Sequence, residues 1–203
     1  MYTTSHFAET RLDALHGLIT QHPLGTLVTH GATGLSADHI PFEIAGASED
    51  APFGMLRAHV ARANPLWRCG GEAMVVFQGA SAYVTPALYE EKPVSGKVVP
   101  TWNYAVVHAH GTLRAIEDPA WLLALLERLT ARHETSRAAP WSVHDAPRDH
   151  IDKLMQAIVG IEIPVTRMEG KWKLSQNRSA HDRAAIEADT GLMASLPPVS
   201  RVF

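Results

Sequence analysis

The apolar and polar positions divide the chain into an N-terminal helix, a central run of strands and a more helical C-terminal part. Leu12, Leu15, Leu18 and Ile19 recur at the three- and four-residue spacing of a single helix face. The "HPLG" segment at 22–25 ends this helix, because proline cannot continue a helix and glycine turns freely. Apolar or alternating segments typical of strands follow at 26–30, 35–44, 53–60, 72–79, 81–86 and 96–116.

The C-terminal part begins with a strong helix start at Asp118-Pro119, an N-cap acceptor followed by proline in the first turn. A second helix is predicted over 146–158, a strand over 159–175, and a last helix over 177–191 with Gly191 as its C-cap. Six or more strands with short connections and no alternation of strand and helix favour an antiparallel barrel. The prediction is a mainly β fold with peripheral helices, in one domain over 1–203, with helical additions around 118–158 and 178–191.

Charge and composition indicate which partners and which cellular compartment to expect. The formal net charge is −3, from 18 basic and 21 acidic residues, so no large cationic field is available for nucleic acid or an anionic membrane. The single cysteine, Cys69, excludes an internal disulfide framework and a four-cysteine zinc site. A polar N-terminus and the lack of an apolar run near 20 residues predict a cytoplasmic protein with no membrane partner.

The longest strand candidate, at 96–116, carries an unusual set of side chains. Residues two apart share a face of a strand, so Trp102 and Tyr104 lie on one face and Thr101 and Asn103 on the other. Large rings on strands commonly pack against a core or a second subunit. A neutral amide beside two rings needs hydrogen-bond partners if it is buried, which favours a ligand contact instead. Both interpretations stay open from the residues alone.

The same strand continues into His108 and His110, an H-x-H pair of a kind that can chelate a metal. The sequence shows no further members of such a site, so no metal is predicted. It shows no nucleophile with a base, no paired carboxylates and no glycine-rich nucleotide loop. Catalytic residues are therefore unassigned, and any redox chemistry would come from a cofactor.

Four segments together resemble one known family. They are "HVARANPLW" at 59–67, "VVFQGASAYVTPALY" at 75–89, "VVPTWNYAVVHAHG" at 98–111 and "GKWKLSQNRSAHDRAAI" at 170–186. In this order and spacing they resemble the PaiB family, described as FMN-binding negative transcriptional regulators. That family is similar to the flavin-binding split barrels that include the pyridoxamine phosphate oxidases. The likeness covers almost the whole chain, and "VPTWNY" and "KLSQN" are its specific parts.

The resemblance implies an antiparallel split β-barrel that binds FMN. It implies a homodimer, because split barrels share the flavin site across the subunit interface, and a role in regulating gene expression. A flavin-dependent oxidoreductase acting on a small molecule is one alternative, and a split barrel that binds haem or another ligand is a second. DNA binding through a local basic patch is left open, since no segment has a helix-turn-helix pattern.

The resemblance also suggests where FMN would be held, since its phosphate needs cations and backbone N–H groups. Arg62 and Asn64 lie at a predicted chain reversal, and in related barrels the corresponding segment lies beside the flavin phosphate. The resemblance therefore makes Arg62 the first phosphate candidate. The alternative is a surface arginine with Asn64 capping the turn. Lys97 is the second cation, and Lys171 and Gln176 come from "GKWKLSQN", which is either a cover for the flavin or a solvated edge strand.

The rim of the strand at 101–104 completes the candidate site. Thr101 and Asn103 are expected to contact the edge or phosphate of the flavin. Trp102 is counted among the cofactor-binding candidates, and in the preferred arrangement Trp102 and Tyr104 pack the opposite face against the core or the partner subunit. On this hypothesis, removing the Asn103 amide weakens flavin binding and leaves the apo protein stable.

Overall fold

The computed structural model describes residues 1–32 and 34–196. The strands are β1 (Ala8–Glu9), β2 (Leu24–Gly31), β3 (Gly34–Pro41), β4 (Glu43–Ala45), β5 (Met55–Ala61), β6 (Gly71–Val84), β7 (Thr101–Ile116) and β8 (Ile158–Lys173). The helices are α1 (Leu12–Gln21), α2 (Leu66–Cys69), α3 (Glu91–Val94), α4 (Pro119–Glu134), α5 (Arg148–Gln156) and α6 (Ala180–Thr190).

The strands form a sheet in the hydrogen-bonded order β3-β2-β6-β7-β8-β5-β4, with β1 also paired to β8. β2 and β3 are antiparallel, with Leu24 opposite Pro41 at one end and Gly31 opposite Gly34 at the other. β5 is antiparallel to β8. The predicted class, a mainly antiparallel sheet with peripheral helices, is confirmed.

The chain divides into two compact units. Unit 1 comprises Met1–His22, Val76–His108 and the chain from Met168 onward, and unit 2 comprises Pro23–Val75 and Ala109–Arg167. The long strands β6, β7 and β8 contribute residues to both units. The assignment of residues 1–203 to one domain stays a prediction.

The core of unit 1 forms around α1, whose predicted apolar face buries Leu15, Leu18 and Ile19 almost completely. Glycine makes room for two of these side chains on the neighbouring strands. A Cβ at Gly170 in β8 would lie 2.3 Å from Leu15 Cδ2, and one at Gly79 in β6 would lie 3.1 Å from Leu18 Cδ1. The helix therefore packs closely on the sheet only where the strand carries no side chain.

Gly79 also explains where the predicted strand limits were wrong. The glycine was expected to end one strand at 79 before a second began at 81, but β6 runs unbroken over Gly71–Val84. Its role is close packing under Leu18 rather than a chain reversal. In the opposite sense, the single strand predicted over 35–44 is divided into β3 and β4 after Pro41, which has no N–H group to donate.

Unit 2 has its own hydrophobic core, and its helix α4 begins at a side-chain N-cap. Its fully buried side chains include Leu27, Leu56, Ile161 and Ile163 from strands, Leu125 from α4, and Phe42, which lies between β3 and β4. α4 begins at the predicted cap, where Asp118 Oδ1 accepts a hydrogen bond of 2.8 Å from the Ala120 N–H. The cap fixes the start of the helix so that Leu122 and Leu125 face the core.

The last helix, α6, has both of its ends fixed. The Ser179 hydroxyl accepts from the Asp182 N–H at 3.1 Å, and Gly191 ends the helix in the left-handed conformation, as predicted. α4 and α5 lie within the range 118–158 and α6 within 178–191. Among the described residues, no helix is both long and apolar enough to cross a bilayer.

Candidate functional site

Asn103, the candidate at the start of β7 in unit 1, is buried and already bonded within the chain. Its side chain is 2% exposed. Asn103 Nδ2 donates to Ser175 Oγ at 3.0 Å, and Ser175 Oγ lies 3.1 Å from Asn103 Oδ1, which it can donate to. Ser175 is itself buried and has a φ of 61°, the one non-glycine residue with positive φ among the described residues. The pair therefore attaches the segment after β8 to β7.

Trp102 lies on the opposite face of β7 and is 56% exposed. Its ring lies against that of Tyr83 of β6, itself 50% exposed, with the ring centroids 6.0 Å apart and the planes at 70°. This is the edge-to-face arrangement that aromatic pairs favour. Packing of Trp102 into the core of its own chain, one of the two arrangements expected from the sequence, is wrong. Its contact with a partner or a ligand stays a prediction.

Lys173, at the end of β8, is hydrogen-bonded to the first two residues of β7. Its Nζ donates to Thr101 Oγ1 and, at 2.6 Å, to the carbonyl oxygen of Trp102. Burial lowers the pKa of Lys173, the nearby Lys171 charge lowers it further, and Tyr104 opposes the shift. Thr101 is thus occupied as an acceptor, and the ammonium group is held beside the Trp102 backbone.

Lys171 lies on the same side of β8. Its Nζ donates to the Tyr2 carbonyl oxygen at 3.1 Å, and lies 5.5 Å from the Tyr104 ring centroid and 5.8 Å from that of Tyr2. Cations at these distances are attracted to the faces of aromatic rings. We call the set Tyr83, Trp102, Tyr104, Lys171 and Lys173 the aromatic–lysine surface. The set combines aromatic rings that are exposed or partly exposed with two ammonium groups.

Two further candidates of unit 1, Gln176 and Lys97, lie in a turn and a loop beside the strands. The Gln176 side chain closes the turn after β8, because its Oε1 accepts from the Leu174 N–H at 2.8 Å and its Nε2 donates to the Trp172 carbonyl. Lys97 is exposed in the loop before β7. Cofactor contacts by Gln176 and Lys97 stay predictions.

Arg62 belongs to unit 2, at the reversal after β5. Its guanidinium group donates to the Gln156 carbonyl at 2.9 Å, to Glu117 Oε2 at 2.5 Å and to the Ile158 carbonyl at 3.2 Å. The side chain therefore attaches the reversal to the start of β8. Phosphate binding by Arg62 stays a prediction, and it would require some of these bonds to be exchanged.

Asn64 caps the same reversal, which is the structural alternative weighed from the sequence. Its Oδ1 accepts from the Leu66 N–H at 2.9 Å, and its Nδ2 donates to Asp38 Oδ1 at 2.8 Å. The cap starts α2, and the Trp67 indole N–H donates to the Arg62 carbonyl at 3.0 Å. A cofactor contact by Asn64 stays a prediction.

The candidate site residues predicted from the sequence include neither Tyr83 nor Lys173. Tyr83 lies in the predicted strand 81–86, but nothing local shows that β6 lies beside β7 and brings its ring to Trp102. Lys173 lies two residues after Lys171 in the predicted strand 159–175, so alternation places both side chains on one face. Alternation along β8 gave that signal, and the strand order that places β8 next to β7 was needed to use it.

Residues 1–167 match the family described as "Putative FMN-binding domain". The chain belongs to this family. An uncharacterized protein of Emericella nidulans is 35% identical, over 92% of this chain and 88% of the relative. The protease synthase and sporulation protein PAI 2 of Bacillus subtilis is 29% identical, over 90% of this chain and 85% of the relative. The resemblance to the PaiB family is thereby confirmed.

Solved structures with a similar fold include two cofactor-binding proteins. The FAD and heme binding protein of Mycobacterium smegmatis superposes with a TM-score of 0.61 at 19% identity, covering 88% of this chain and 78% of that one. The flavocytochrome Anf3 of Azotobacter vinelandii also gives 0.61, at 12% identity, covering 90% and 78%. The predicted split β-barrel class is confirmed, and FMN as the cofactor is confirmed by membership of the family.

Proposed function

We propose that this protein binds FMN on the aromatic–lysine surface and acts as a flavin-dependent regulator. The observation that carries the proposal is the exposed Trp102 ring, edge-to-face with Tyr83, on a residue whose carbonyl oxygen accepts from the Lys173 ammonium group. Exposed large rings are costly to leave in water, so two of them in contact on neighbouring strands favour a ligand or a partner.

The residues of this surface fit the two parts of FMN. The isoalloxazine is a broad apolar plate that stacks on aromatic rings, and Trp102 and Tyr83 supply such rings. The phosphate is a dianion, which favours the ammonium groups of Lys171 and Lys173. FMN, when bound, supplies redox chemistry that side chains lack. The chain's part is to hold the plate, pair the phosphate and exclude water from one side.

The assembly that fits this surface is a homodimer in which a second copy covers the flavin. The apolar residues Val94, Val99, Trp102 and Tyr83 of unit 1 are all at least half exposed, which supports an additional contact. Light scattering of the FMN-loaded protein should give twice the chain mass of 22.1 kDa. A stable monomer at micromolar concentration contradicts the dimer and leaves flavin binding to be judged separately.

The flavin proposal is tested by fluorescence titration with FMN and riboflavin. Trp102→Ala should weaken both ligands by about 1–3 kcal/mol, the range for loss of an aromatic stacking contact. Lys173→Met should weaken FMN more than riboflavin, because riboflavin has no phosphate. Trp141, 46% exposed in unit 2, provides a matched control, and Trp141→Ala should change neither affinity. Equal losses in the two tryptophan variants would refute the assignment.

The regulatory role is supported by the similarity to PAI 2, whose name refers to protease synthesis and sporulation. Selection from a pool of random-sequence DNA duplexes, repeated with oxidised and reduced FMN, tests it directly. Enrichment of one sequence in a flavin-dependent and salt-sensitive way supports a regulator. Turnover of NADH or NADPH without DNA enrichment supports the alternative, a flavin-dependent oxidoreductase. Absence of flavin binding with retention of another ligand supports the remaining alternative, a split barrel for haem or a different molecule.

A further inference from the structure

A groove of about 340 Å³ lies in unit 2 and shares no residue with the aromatic–lysine surface. Residues of β2, β3, β6, β7 and β8 line it. Its volume is within the range of small-molecule sites, which begins at about 300 Å³. The proposed flavin surface gives it no role.

The lining of the groove divides into an apolar part and a hydrogen-bonding part. Val28, Leu35 and Met74 supply apolar surface, and Leu35 is 78% exposed. The hydroxyl-bearing residues of the lining are Thr29, Thr112 and Thr166. An apolar wall with a few polar groups is the usual composition of a ligand site.

Gly111 keeps the groove open and its strands close together. A Cβ at this position would lie 2.1 Å from the Pro164 carbonyl oxygen, well inside van der Waals contact. β7 therefore approaches β8 at a point where only glycine fits, and the lining carries no side chain there. This close approach brings Thr112 of β7 and Arg167 of unit 2 into the same lining.

Arg167 gives the groove its positive charge. Its Nη2 lies 2.9 Å from His110 Nδ1, and since a guanidinium group only donates, the imidazole nitrogen accepts. The contact holds the guanidinium group at the wall. Glu72, the one carboxylate of the lining, is exposed, so water weakens its effect on a bound anion.

We propose that this groove binds a small organic carboxylate with an apolar body. The carboxylate pairs with Arg167, for which a planar guanidinium group is the preferred partner in proteins. The apolar body lies against Val28, Leu35 and Met74, and the threonine hydroxyls complete the hydrogen bonding. Such a site would let a metabolite of this class act on the protein independently of the flavin.

Hexanoate is the probe, titrated into the FMN-loaded, ¹⁵N-labelled protein and followed by the amide signals of Gly111 and Thr112. The expected Kd is on the order of 1 mM for so small a ligand. Hexanol and hexylamine have matched length but cannot form the charge-assisted pair with Arg167. Their affinities, measured from the same amide signals, should therefore be at least about tenfold lower. No shift by about 20 mM hexanoate overturns the proposal, and so does equal binding of hexanol or hexylamine.

Variants locate the site. Arg167→Gln should weaken hexanoate about tenfold or more, whereas Arg114→Gln, an exposed arginine of β7 outside the lining, should not. Glu72→Gln should leave the affinity equal or higher. Leu35→Asp, at a highly exposed position that tolerates polar groups, should abolish binding even if Arg167→Gln fails to fold.

Hexanoate binding that survives Arg167→Gln or Leu35→Asp overturns the proposal, and so does competition between hexanoate and free FMN for the apo protein. Because the titrations report amides of the groove, failure here is distinguishable from failure of flavin binding, which the fluorescence assay measures on its own.

Discussion

Removing the Asn103 side chain should destabilise the protein itself. Asn103→Ala deletes an amide that is 2% exposed and leaves the Ser175 hydroxyl, on a residue 4% exposed, without its partner. A buried polar group that loses its partner costs about 1–3 kcal/mol, and the lost packing adds to this cost. The expected decrease in the free energy of unfolding is therefore about 2–3 kcal/mol. This reverses the expectation from sequence, in which the variant loses flavin and keeps its apo stability.

Replacements of Ser175 separate the hydrogen bonds from the backbone strain. Ser175→Ala removes the hydroxyl and keeps a side chain at a φ of 61°, whereas Ser175→Gly removes the hydroxyl at a position where glycine is at ease. The glycine variant should therefore be more stable than the alanine variant, by about 1 kcal/mol or more. The double variant Asn103→Ala/Ser175→Ala should show a coupling energy of at least about 0.5 kcal/mol.

The assay is urea unfolding of the apo protein, followed by tryptophan fluorescence and by far-ultraviolet circular dichroism. Coincident transitions and unchanged m-values allow the midpoints to be compared as free energies. Asn177→Ala, an exposed asparagine in the same segment, is the matched control and should lie within about 0.5 kcal/mol of the parent. An Asn103→Ala variant as stable as this control, or additive energies in the double variant, would refute the reasoning.

Three other predictions concern unit 2. Gly111→Ala should cost at least about 3 kcal/mol or prevent folding, because its Cβ would overlap the Pro164 carbonyl, while Gly46→Ala, with nothing within 4 Å, should be nearly neutral; thermal melting compares them. Arg62→Ala should lower the affinities for FMN and riboflavin equally, because the guanidinium group is bonded to the chain itself. A selective loss of FMN affinity in the fluorescence titration would instead support a contact between Arg62 and the phosphate. Burial lowers the pKa of His59, so protonation favours the unfolded state and stability should decrease as the pH falls below about 6.5 towards the lowered value. His59→Gln should remove that part of the pH dependence in urea unfolding, and an unchanged profile would exclude His59 as its source.

The sequence by itself determined the elements whose signals are local. The Asp118 cap, the Gly191 C-cap and the apolar face of α1 are set by residues within a few positions of one another. Alternation also showed that Trp102 and Asn103 lie on opposite faces of their strand. The family, its fold class and FMN could be predicted because four segments of the chain resemble one family in their order and spacing.

Only the tertiary structure decided which face of β7 is covered. Periodicity separates two faces, but it does not say which neighbour packs over either one. Ser175, the partner of Asn103, is 72 positions away, and the acceptors of Arg62 at Gln156 and Ile158 are 94 and 96 positions away. Contacts at such separations depend on strand order, which side-chain alternation does not encode. For that physical reason, the amide expected to contact a ligand is buried within the chain, and the Trp102 ring is exposed instead of packed in the core of its own chain.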